Sequence, residues 1–341
     1  MSVPRLRICA GFLIGGVFIF LALRTVELSA VGSALARADL RWILMALVSM
    51  LTGFTLRCVR WWLMVQAVAS PNKVGFRVCL APFFVSYSVN NVLPLRIGDA
   101  IRVVGFNRVV HCSLSSLFAT LVVERVFDLL ILLSMAYVAG LAAPRFDLFK
   151  VYFLPLQILV PVAIAGATAA LFVPAPAMAL IDLIVKRAPS RGTGIGFHIA
   201  ESMRSIFQAM DRVRVGSSVP ALLCLSVVAW IAEGMVFVFV AYGLGSGAAP
   251  STALFVYVMS NLSQTIPGTP GNFGTFEFIA LEGLVGLAGL APALAASVAL
   301  VAHLVIWIPV TLIGAAYLLV NPALQQTGPT TAKPQPDLVK R

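Results

Sequence analysis

The chain contains 341 residues, of which 60% are hydrophobic and only 11% are charged. Soluble domains carry about 25% charged residues, and a mean hydropathy of +0.99 leaves no long polar segment for a separate soluble domain. The composition excludes an ordinary soluble protein and predicts a single all-α, polytopic membrane domain over residues 1–320. The net charge of +11 lies in short loops between apolar runs, where it indicates membrane topology and anionic lipid rather than nucleic acid.

Six apolar runs are predicted to be full transmembrane helices, each of which needs about 20 residues to cross a bilayer. They are residues 8–23, 42–56, 114–141, 151–173, 219–242 and 293–320. Two further apolar stretches, 76–93 and 252–290, are interrupted or followed by clustered prolines and glycines, which end helices. Because broken backbone at membrane depth must be buried in protein or line a wet cavity, both stretches are predicted to be re-entrant hairpins of paired half-helices.

The positive charges give a prediction of topology. If both hairpins return to the side they entered from, 18 of the 24 Lys and Arg residues share one side and five lie on the other, with Arg125 inside a span. The positive-inside rule then places both termini in the cytoplasm.

The two interrupted stretches also resemble each other. Setting Pro94 against Pro267 aligns eleven positions without a gap. Opposite directions of entry predict an inverted repeat with halves 1–150 and 151–320 and a transport site at their interface. Chance similarity between two apolar segments that end in proline is the alternative.

The segment at residues 195–214 alternates apolar and charged residues at helical spacing. This pattern predicts an amphipathic helix on the cytoplasmic membrane surface, and a connecting helix packed on the bundle is equally consistent with it. The proline-rich tail at 321–341 is predicted to be disordered.

The densest group of charges inside a span is Glu124, Arg125 and Asp128. Glu124 lies ten residues into its run, about 15 Å deep at 1.5 Å per residue, where charges are costly and are candidates for function. Arg125 and Asp128 are three residues apart and can pair on one helix face. We expect either an intramembrane charge element that rearranges or relays protons, or a static pair of Arg125 and Asp128 in which Glu124 takes no part.

A second group, Arg96, Asp99 and Arg102, follows Pro94. If a helix resumes near Ile97, Asp99 falls in its first turn, where a carboxylate suits the helix dipole. With the adjoining Asn90 and Asn91, the arginines are candidates to bind an anionic headgroup; ordinary topology anchors are the alternative.

The third group is the segment PGTPGNFGTFE at residues 267–277, which carries no positive charge. Its glycines allow close approach of a ligand to backbone N–H groups. The headgroup-binding candidates here are Gln264, Pro267, Gly271, Gly274 and Glu277. The alternative is a structural hairpin tip in which Glu277 caps the next half-helix. The sequence predicts no catalytic residue, metal site or cofactor.

Three segments together resemble the membrane region of the lysylphosphatidylglycerol synthase family. They are PLRIGDAIR at 94–102, ERVFD at 124–128 and PGTPGNFGTFE at 267–277. The family's first motif more usually has Glu where this chain has Asp99, which preserves the charge. The resemblance covers most of the chain and implies a lipid-handling membrane module.

The resemblance also sets the expected function. In the two-part proteins called multiple peptide resistance factor, a similar membrane region is thought to flip aminoacylated phosphatidylglycerol, while a soluble domain performs aminoacyl transfer. About twenty residues follow Val320 here, so we expect no such transfer and predict a translocase of anionic lipid in the bacterial inner membrane. The alternatives are an enzyme acting on a lipid-linked sugar or phosphate, and a non-catalytic partner of a lipid-synthesis enzyme.

Overall fold

The structure of the chain is a computed structural model that describes residues 28–69, 73–93, 96–105, 107, 109–110, 112–142, 195–216, 218–262 and 270–320, with a few single residues between 158 and 183. The described part is helical and contains no strand. Its helices are α1 (Leu28–Ala36), α2 (Leu40–Val68), α3 (Phe76–Val92), α4 (Ile97–Val104), α5 (Leu114–Leu141), α6 (Ile195–Gly216), α7 (Val219–Gly243), α8 (Pro250–Leu262), α9 (Thr275–Gly283) and α10 (Pro292–Val320).

Three of these helices, α2, α7 and α10, are long and apolar enough to cross a membrane. Helix α5 is nearly as long as the longest of them, with 28 residues, but its middle carries Glu124, Arg125 and Asp128. These features are those of a helical membrane protein. The spans predicted at 8–23 and 151–173 and the tail predicted at 321–341 lie outside the described residues, apart from single positions in the second span.

Helix α2 is longer than the sequence predicts. The apolar run ends at residue 56, yet the helix continues to Val68. It starts at the N-cap residue Asp39, whose side chain accepts a hydrogen bond from Arg41 N at 2.9 Å. Arg57 and Arg60 are therefore buried side chains of this helix and do not lie in a cytoplasmic loop, which removes two of the 18 positive charges assigned to that side.

In both regions a longer helix is followed by a short one: α3 forms the first interrupted stretch and precedes α4, and α8 precedes α9 within the second. Helix α3 has 17 residues and α4 has eight; α8 has 13 residues and α9 has nine. At 1.5 Å per residue, α3 and α8 reach about 26 Å and about 20 Å, less than the roughly 30 Å hydrocarbon core. A 3₁₀ turn, Pro270–Asn272, precedes α9.

Helix α4 packs closely against α3 because a glycine lies at their contact. A Cβ atom added at Gly98 would lie 1.9 Å from the carbonyl oxygen of Ser86, well inside van der Waals contact. The absence of a side chain at this position thus permits the backbones of the two helices to approach.

The helix contacts form a regular arrangement around a central pair, α2 and α7. Helix α3 packs on α10, and α8 packs on α5. Helix α6 lies against α2 and α5, with Ala209, Met210 and Val213 buried. This arrangement brings α2, α4, α5 and α7 together at the level of their charged residues.

Candidate functional site

Four arginines and four carboxylates form one connected ionic network in the middle of the helices. The network comprises Arg57 and Arg60 on α2, Asp99 and Arg102 on α4, Glu124, Arg125 and Asp128 on α5, and Glu233 on α7. All but Arg125 are buried. Buried ionic groups are stable only when they are paired, and the equal numbers of the two signs allow every charge a partner of the opposite sign.

Asp128 joins α2, α5 and α7. Its carboxylate accepts hydrogen bonds from Arg60 Nη1 at 2.8 Å, Trp230 Nε1 at 3.0 Å and Arg57 Nη1 at 3.3 Å. The Arg57 guanidinium also donates to both oxygens of Glu233, and its Cζ lies 3.8 Å from the Trp230 ring centroid. Arg57 is thus held by two carboxylates and an aromatic face.

Glu124 is the most enclosed carboxylate and accepts from Arg102. Arg102 Nη2 lies 3.2 Å from the Glu124 carboxylate, and these residues are 1% and 0% exposed. Tyr87 OH donates to Glu124 at 3.4 Å, and Arg60 Nη2 lies 4.0 Å away. Glu124 is therefore engaged with several cations and not left over, and Arg102 is turned inward to it.

Arg125 links the network to open space. Its Nη2 donates to both oxygens of Asp99 at 3.3 Å, which is nearer than the 3.6 Å separation from Asp128 on its own helix. Asp99 also accepts from Asn90 Nδ2 at 3.0 Å and lies in the first turn of α4, as predicted. The Arg125 side chain is 34% exposed, so it can pair with Asp99 and still reach a ligand.

A second polar cluster joins α9, α10 and the 3₁₀ turn. The two ring nitrogens of His303 lie 2.5 Å from Glu277 Oε1 and 3.0 Å from the carbonyl oxygen of Gly271. The other oxygen of Glu277 accepts from Gly274 N at 2.7 Å. The capping role weighed for Glu277 is thus present, and Glu277 also holds a buried histidine. Phe276 stacks on the imidazole with centroids 4.3 Å apart.

A cavity of about 170 Å³ separates the two clusters. Arg57, Arg125, Asp128 and Glu233 face it from one side and His303 from the other. Both interrupted stretches contribute to its wall, through Asn91 and Arg96 from the first and Asn261, Leu262, Gly271 and Asn272 from the second. Leu129, which is 43% exposed, also lines it, so the cavity reaches toward the outer surface of the helices.

Two residues of the wall have left-handed backbone conformations. Arg96, the N-cap residue of α4, has φ 52°, and Asn272 has φ 60°. Asparagine tolerates this region, whereas it costs a residue such as arginine about 1–2 kcal/mol. Such a conformation persists only where the surroundings enforce it, and it is most frequent at functional sites.

The residues predicted to bind a headgroup fall into three groups. Arg96, Asn91 and Gly271 line the cavity. Asn90, Asp99 and Arg102 lie behind it in the ionic network, and Gly274 and Glu277 support its opposite wall through His303. Gln264 and Pro267 lie outside the described residues. Asn91 also donates to Thr311 Oγ1 at 2.8 Å.

Sequence reasoning missed Arg57 and Arg60, which were counted as loop charges. A signal for them was present: they are three residues apart, so they share a helix face, and the apolar segment Trp61–Val68 continues after them. Their partners come from α5 and α7, about 70 and more than 160 positions away, so local pattern alone did not identify them. Glu233 and His303 lie within the spans predicted at 219–242 and 293–320 and are not among the predicted site residues.

Two comparisons with known proteins bear on this site. A family model described as "Lysylphosphatidylglycerol synthase TM region" matches residues 8–314. A curated relative, "Glycosyltransferase AglD" of Haloferax volcanii, is 34% identical over 141 residues, which is 41% of this chain and 22% of the relative. The chain thus matches about a fifth of that relative's length. On the family match, the chain belongs to the lysylphosphatidylglycerol synthase TM region family.

Proposed function

We propose that this member of the lysylphosphatidylglycerol synthase TM region family is a lipid translocase, which moves an anionic lipid between the leaflets of a bacterial inner membrane. The observation that carries the proposal is the cavity between the ionic network and the His303 cluster. It lies among membrane helices, is polar on several sides and reaches toward their outer surface. A headgroup can occupy it while the acyl chains stay in the bilayer.

The charge of the cavity wall favours an anion. Arg57, Arg96 and Arg125 line it against two carboxylates, Asp128 and Glu233, which leaves one positive charge in excess. A volume of about 170 Å³ suits a phosphate-sized group and not a whole lipid. Charge-assisted hydrogen bonds from arginine to phosphate are the strong recognition elements of such sites.

Arg96 and Arg125 are the proposed ligands of the headgroup phosphate. Arg96 is exposed and Arg125 is partly exposed, and both line the cavity. Arg102, which the sequence also suggested, is 1% exposed and paired with Glu124, so its role here is to hold the network together. Asn91, Asn261 and the backbone of Gly271 supply further polar contacts around the same space.

We propose further that six spans and two re-entrant hairpins form an inverted repeat. Two of the helix contacts support this, because each has a counterpart: α3 on α10 corresponds to α8 on α5, and α3 with α4 corresponds to α8 with α9. The acid–base pairs correspond too, since 26 positions separate Asp99 from Arg125 and Glu277 from His303. Each acid is the third residue of its short helix. Such repeats place a substrate site at their interface and alternate its access.

The first test compares lipid bound to the purified protein by native mass spectrometry. The wild-type protein should retain one anionic lipid class selectively, and Arg96→Gln and Arg125→Gln should each lose about tenfold or more of it, as expected when a charge-assisted hydrogen bond is removed. Arg77→Gln, exposed on α3 and outside the cavity lining, is the matched control. A bulk-like lipid profile that neither substitution changes would refute a headgroup site here.

The direct test reconstitutes the protein into phosphatidylglycerol vesicles that contain a fluorescent phosphatidylglycerol. A membrane-impermeant quencher bleaches only the outer leaflet, so a translocase makes the inner-leaflet probe accessible as well. We expect accelerated bleaching with wild type and with Arg77→Gln, and bleaching limited to the outer leaflet with Arg96→Gln. If folded, reconstituted wild-type protein also gives bleaching limited to the outer leaflet, translocation of this lipid is contradicted.

The second candidate is an enzyme that acts on a lipid-linked sugar, which the name of the Haloferax volcanii relative favours. His303 with Glu277 is the acid–base pair nearest the cavity, whereas Glu124 is fully buried and is disfavoured as a base. Incubation of the pure protein with a radiolabelled lipid-linked sugar separates the two functions. A translocase leaves that molecule chemically unchanged, whereas an enzyme converts it.

A further inference from the structure

His303 is held between two groups that accept hydrogen bonds. Its Nε2 faces the Gly271 carbonyl oxygen at 3.0 Å, and its Nδ1 faces Glu277 Oε1 at 2.5 Å. A carbonyl oxygen only accepts, so this contact is a hydrogen bond when Nε2 carries a proton. The residue is 4% exposed, which leaves water little room to replace either contact.

The second contact fixes the number of protons that the pair holds. If Nδ1 donates to a carboxylate, the imidazole is doubly protonated; if Glu277 donates to Nδ1, the carboxyl group is protonated. Both arrangements contain one proton more than a neutral histidine beside a carboxylate. Without that proton, the neutral ring carries a hydrogen on one nitrogen only, and the lone pair of the other nitrogen faces an oxygen at hydrogen-bond distance, which is repulsive.

The extra proton stabilises one wall of the cavity. Glu277 caps the Gly274 N–H, His303 holds the carbonyl of Gly271, and the turn between them contains positive φ angles at Gly271, Asn272 and Gly274. Trp307, one turn after His303, donates to the carbonyl of Asn91 at 3.3 Å. Loss of the proton removes one of the two hydrogen bonds that His303 makes to α9 and to the turn before it, and thereby loosens the turn.

The corresponding pair in the first half cannot behave in this way. Asp99 is paired with Arg125, and arginine stays protonated at every physiological pH. Histidine is the side chain whose charge changes in that range. In the proposed inverted repeat the two pairs occupy corresponding places, but only the second contains a residue that can exchange a proton at physiological pH.

The surroundings of His303 link its proton to an anion. The charged and titratable groups that line the cavity with it are Arg57 on α2, Tyr87 on α3, Arg96 before α4, Arg125 and Asp128 on α5, and Glu233 on α7. Glu277 approaches from α9, and α1, which also packs on α10, carries no charged group. Arg57, Arg96 and Arg125 face three carboxylates, Asp128, Glu233 and Glu277. The extra proton therefore gives this set one net positive charge, and a bound anion offsets that charge. By linkage, proton and anion each strengthen the binding of the other.

We infer that the His303–Glu277 pair is a proton-binding site and that one proton binds together with the anionic headgroup. This inference rests on the proposed translocation and names its coupling ion: a transmembrane proton gradient drives the lipid. The headgroup enters with the pair protonated, and release of the proton to the other side weakens both the anion site and the turn that encloses it.

The first experiment measures proton binding without any transport. Infrared difference spectra of the purified protein in detergent are recorded between about pH 4 and about pH 9, which covers the ordinary range of carboxyl and imidazole groups. Glu277→Gln should remove one titrating proton per molecule relative to wild type. Glu282→Gln, which changes an exposed carboxylate on the same helix, is the matched control and should keep the spectral changes of the pair. Equal proton binding by wild type and Glu277→Gln would overturn the inference.

His303→Arg tests the same site with a permanent charge. It reproduces the carboxylate–arginine pair of Asp99 and Arg125, so the ion pair to Glu277 is retained while the exchangeable proton is lost. We expect a folded protein that lacks the titration. Retention of the titration in this variant would overturn the assignment. The same measurement on His303→Arg tests the proton site if Glu277→Gln does not fold.

The second experiment imposes a pH gradient on phosphatidylglycerol vesicles that contain the fluorescent probe. A gradient of one pH unit should change the rate of probe translocation by wild type severalfold and that of His303→Arg by less than about twofold, because a gradient of one unit is worth about 1.4 kcal/mol. If the pair titrates but no lipid is translocated, the proton-binding site is supported and the transport function is refuted. Translocation with neither titration nor gradient dependence would refute only the proton site.

Discussion

The ionic network predicts that loss of Glu124 lowers the free energy of unfolding far more than loss of a surface ion pair does. Replacement of Glu124 by Leu leaves Arg102, which is 1% exposed, without its carboxylate at 3.2 Å. Four arginines then face three carboxylates. Breaking a buried pair by removal of one partner costs about 3–5 kcal/mol, because the remaining charge stays buried and uncompensated.

A second substitution restores the balance. Arg102→Met with Glu124→Leu removes both charges, so three arginines again face three carboxylates. Replacing a whole buried pair by apolar side chains of similar size is often close to neutral, and we expect the double variant to be more stable than Glu124→Leu alone. The double-mutant cycle should give a coupling free energy of about 2 kcal/mol or more.

The assay is the free energy of unfolding in maltoside micelles titrated with dodecyl sulfate, followed by near-ultraviolet circular dichroism. The control is Arg214→Gln on α6, which breaks an ion pair to Asp211 whose side chains are 35% and 45% exposed. Exposed pairs contribute about 0–1 kcal/mol. If Glu124→Leu is no more destabilising than Arg214→Gln, the network does not depend on charge pairing in the way argued here.

Three other predictions follow from the described residues. Gly98→Ala should abolish the monodisperse folded species on size exclusion, since its Cβ would lie 1.9 Å from Ser86 O, whereas Gly75→Ala, with open space around it, should not. Arg96→Gly should raise the free energy of unfolding by up to about 1 kcal/mol by relieving a left-handed φ, while retention of anionic lipid falls. Burial raises the pKa of the Cys112 thiol to about 11, so at pH 8 only about one thiol in a thousand is ionised; with the other cysteines replaced, maleimide labelling of the native protein should be slow and accelerate as pH rises.

The sequence predicted the elements of the site that depend on local rules. A carboxylate in the first turn of α4, a cap by Glu277 and the charged centre of α5 follow from helix capping and from the cost of charges in membranes. The pairing of Arg125 with Asp128 was predicted from their spacing, yet Arg125 lies closer to Asp99. The spacing of residues along a helix predicts partners on the same helix and carries no information about partners on another helix.

The role of Arg102 and the length of α2 could not be predicted in this way. An arginine near a proline break has the same local sequence whether it faces a ligand or a buried carboxylate. Arg102 faces a carboxylate because its partner, Glu124, lies 22 positions away in the sequence. From the sequence, Arg57 and Arg60 mark the end of a span. The carboxylates that neutralise them lie on α5 and α7 and cannot be identified from the local pattern. Long-range electrostatic pairing overrides the local signal in both cases.

The even balance of the ionic network has a consequence for the energetics of transport. An elementary charge that crosses a membrane potential of 100 mV exchanges about 2.3 kcal/mol with the electric field. A cluster with as many cations as carboxylates carries no net charge, so a rocking motion that displaces it as a unit does no electrical work. In the proposed translocation the network then adds nothing to the electrical work, and a singly charged anionic headgroup accompanied by one proton would carry no net charge across the membrane potential.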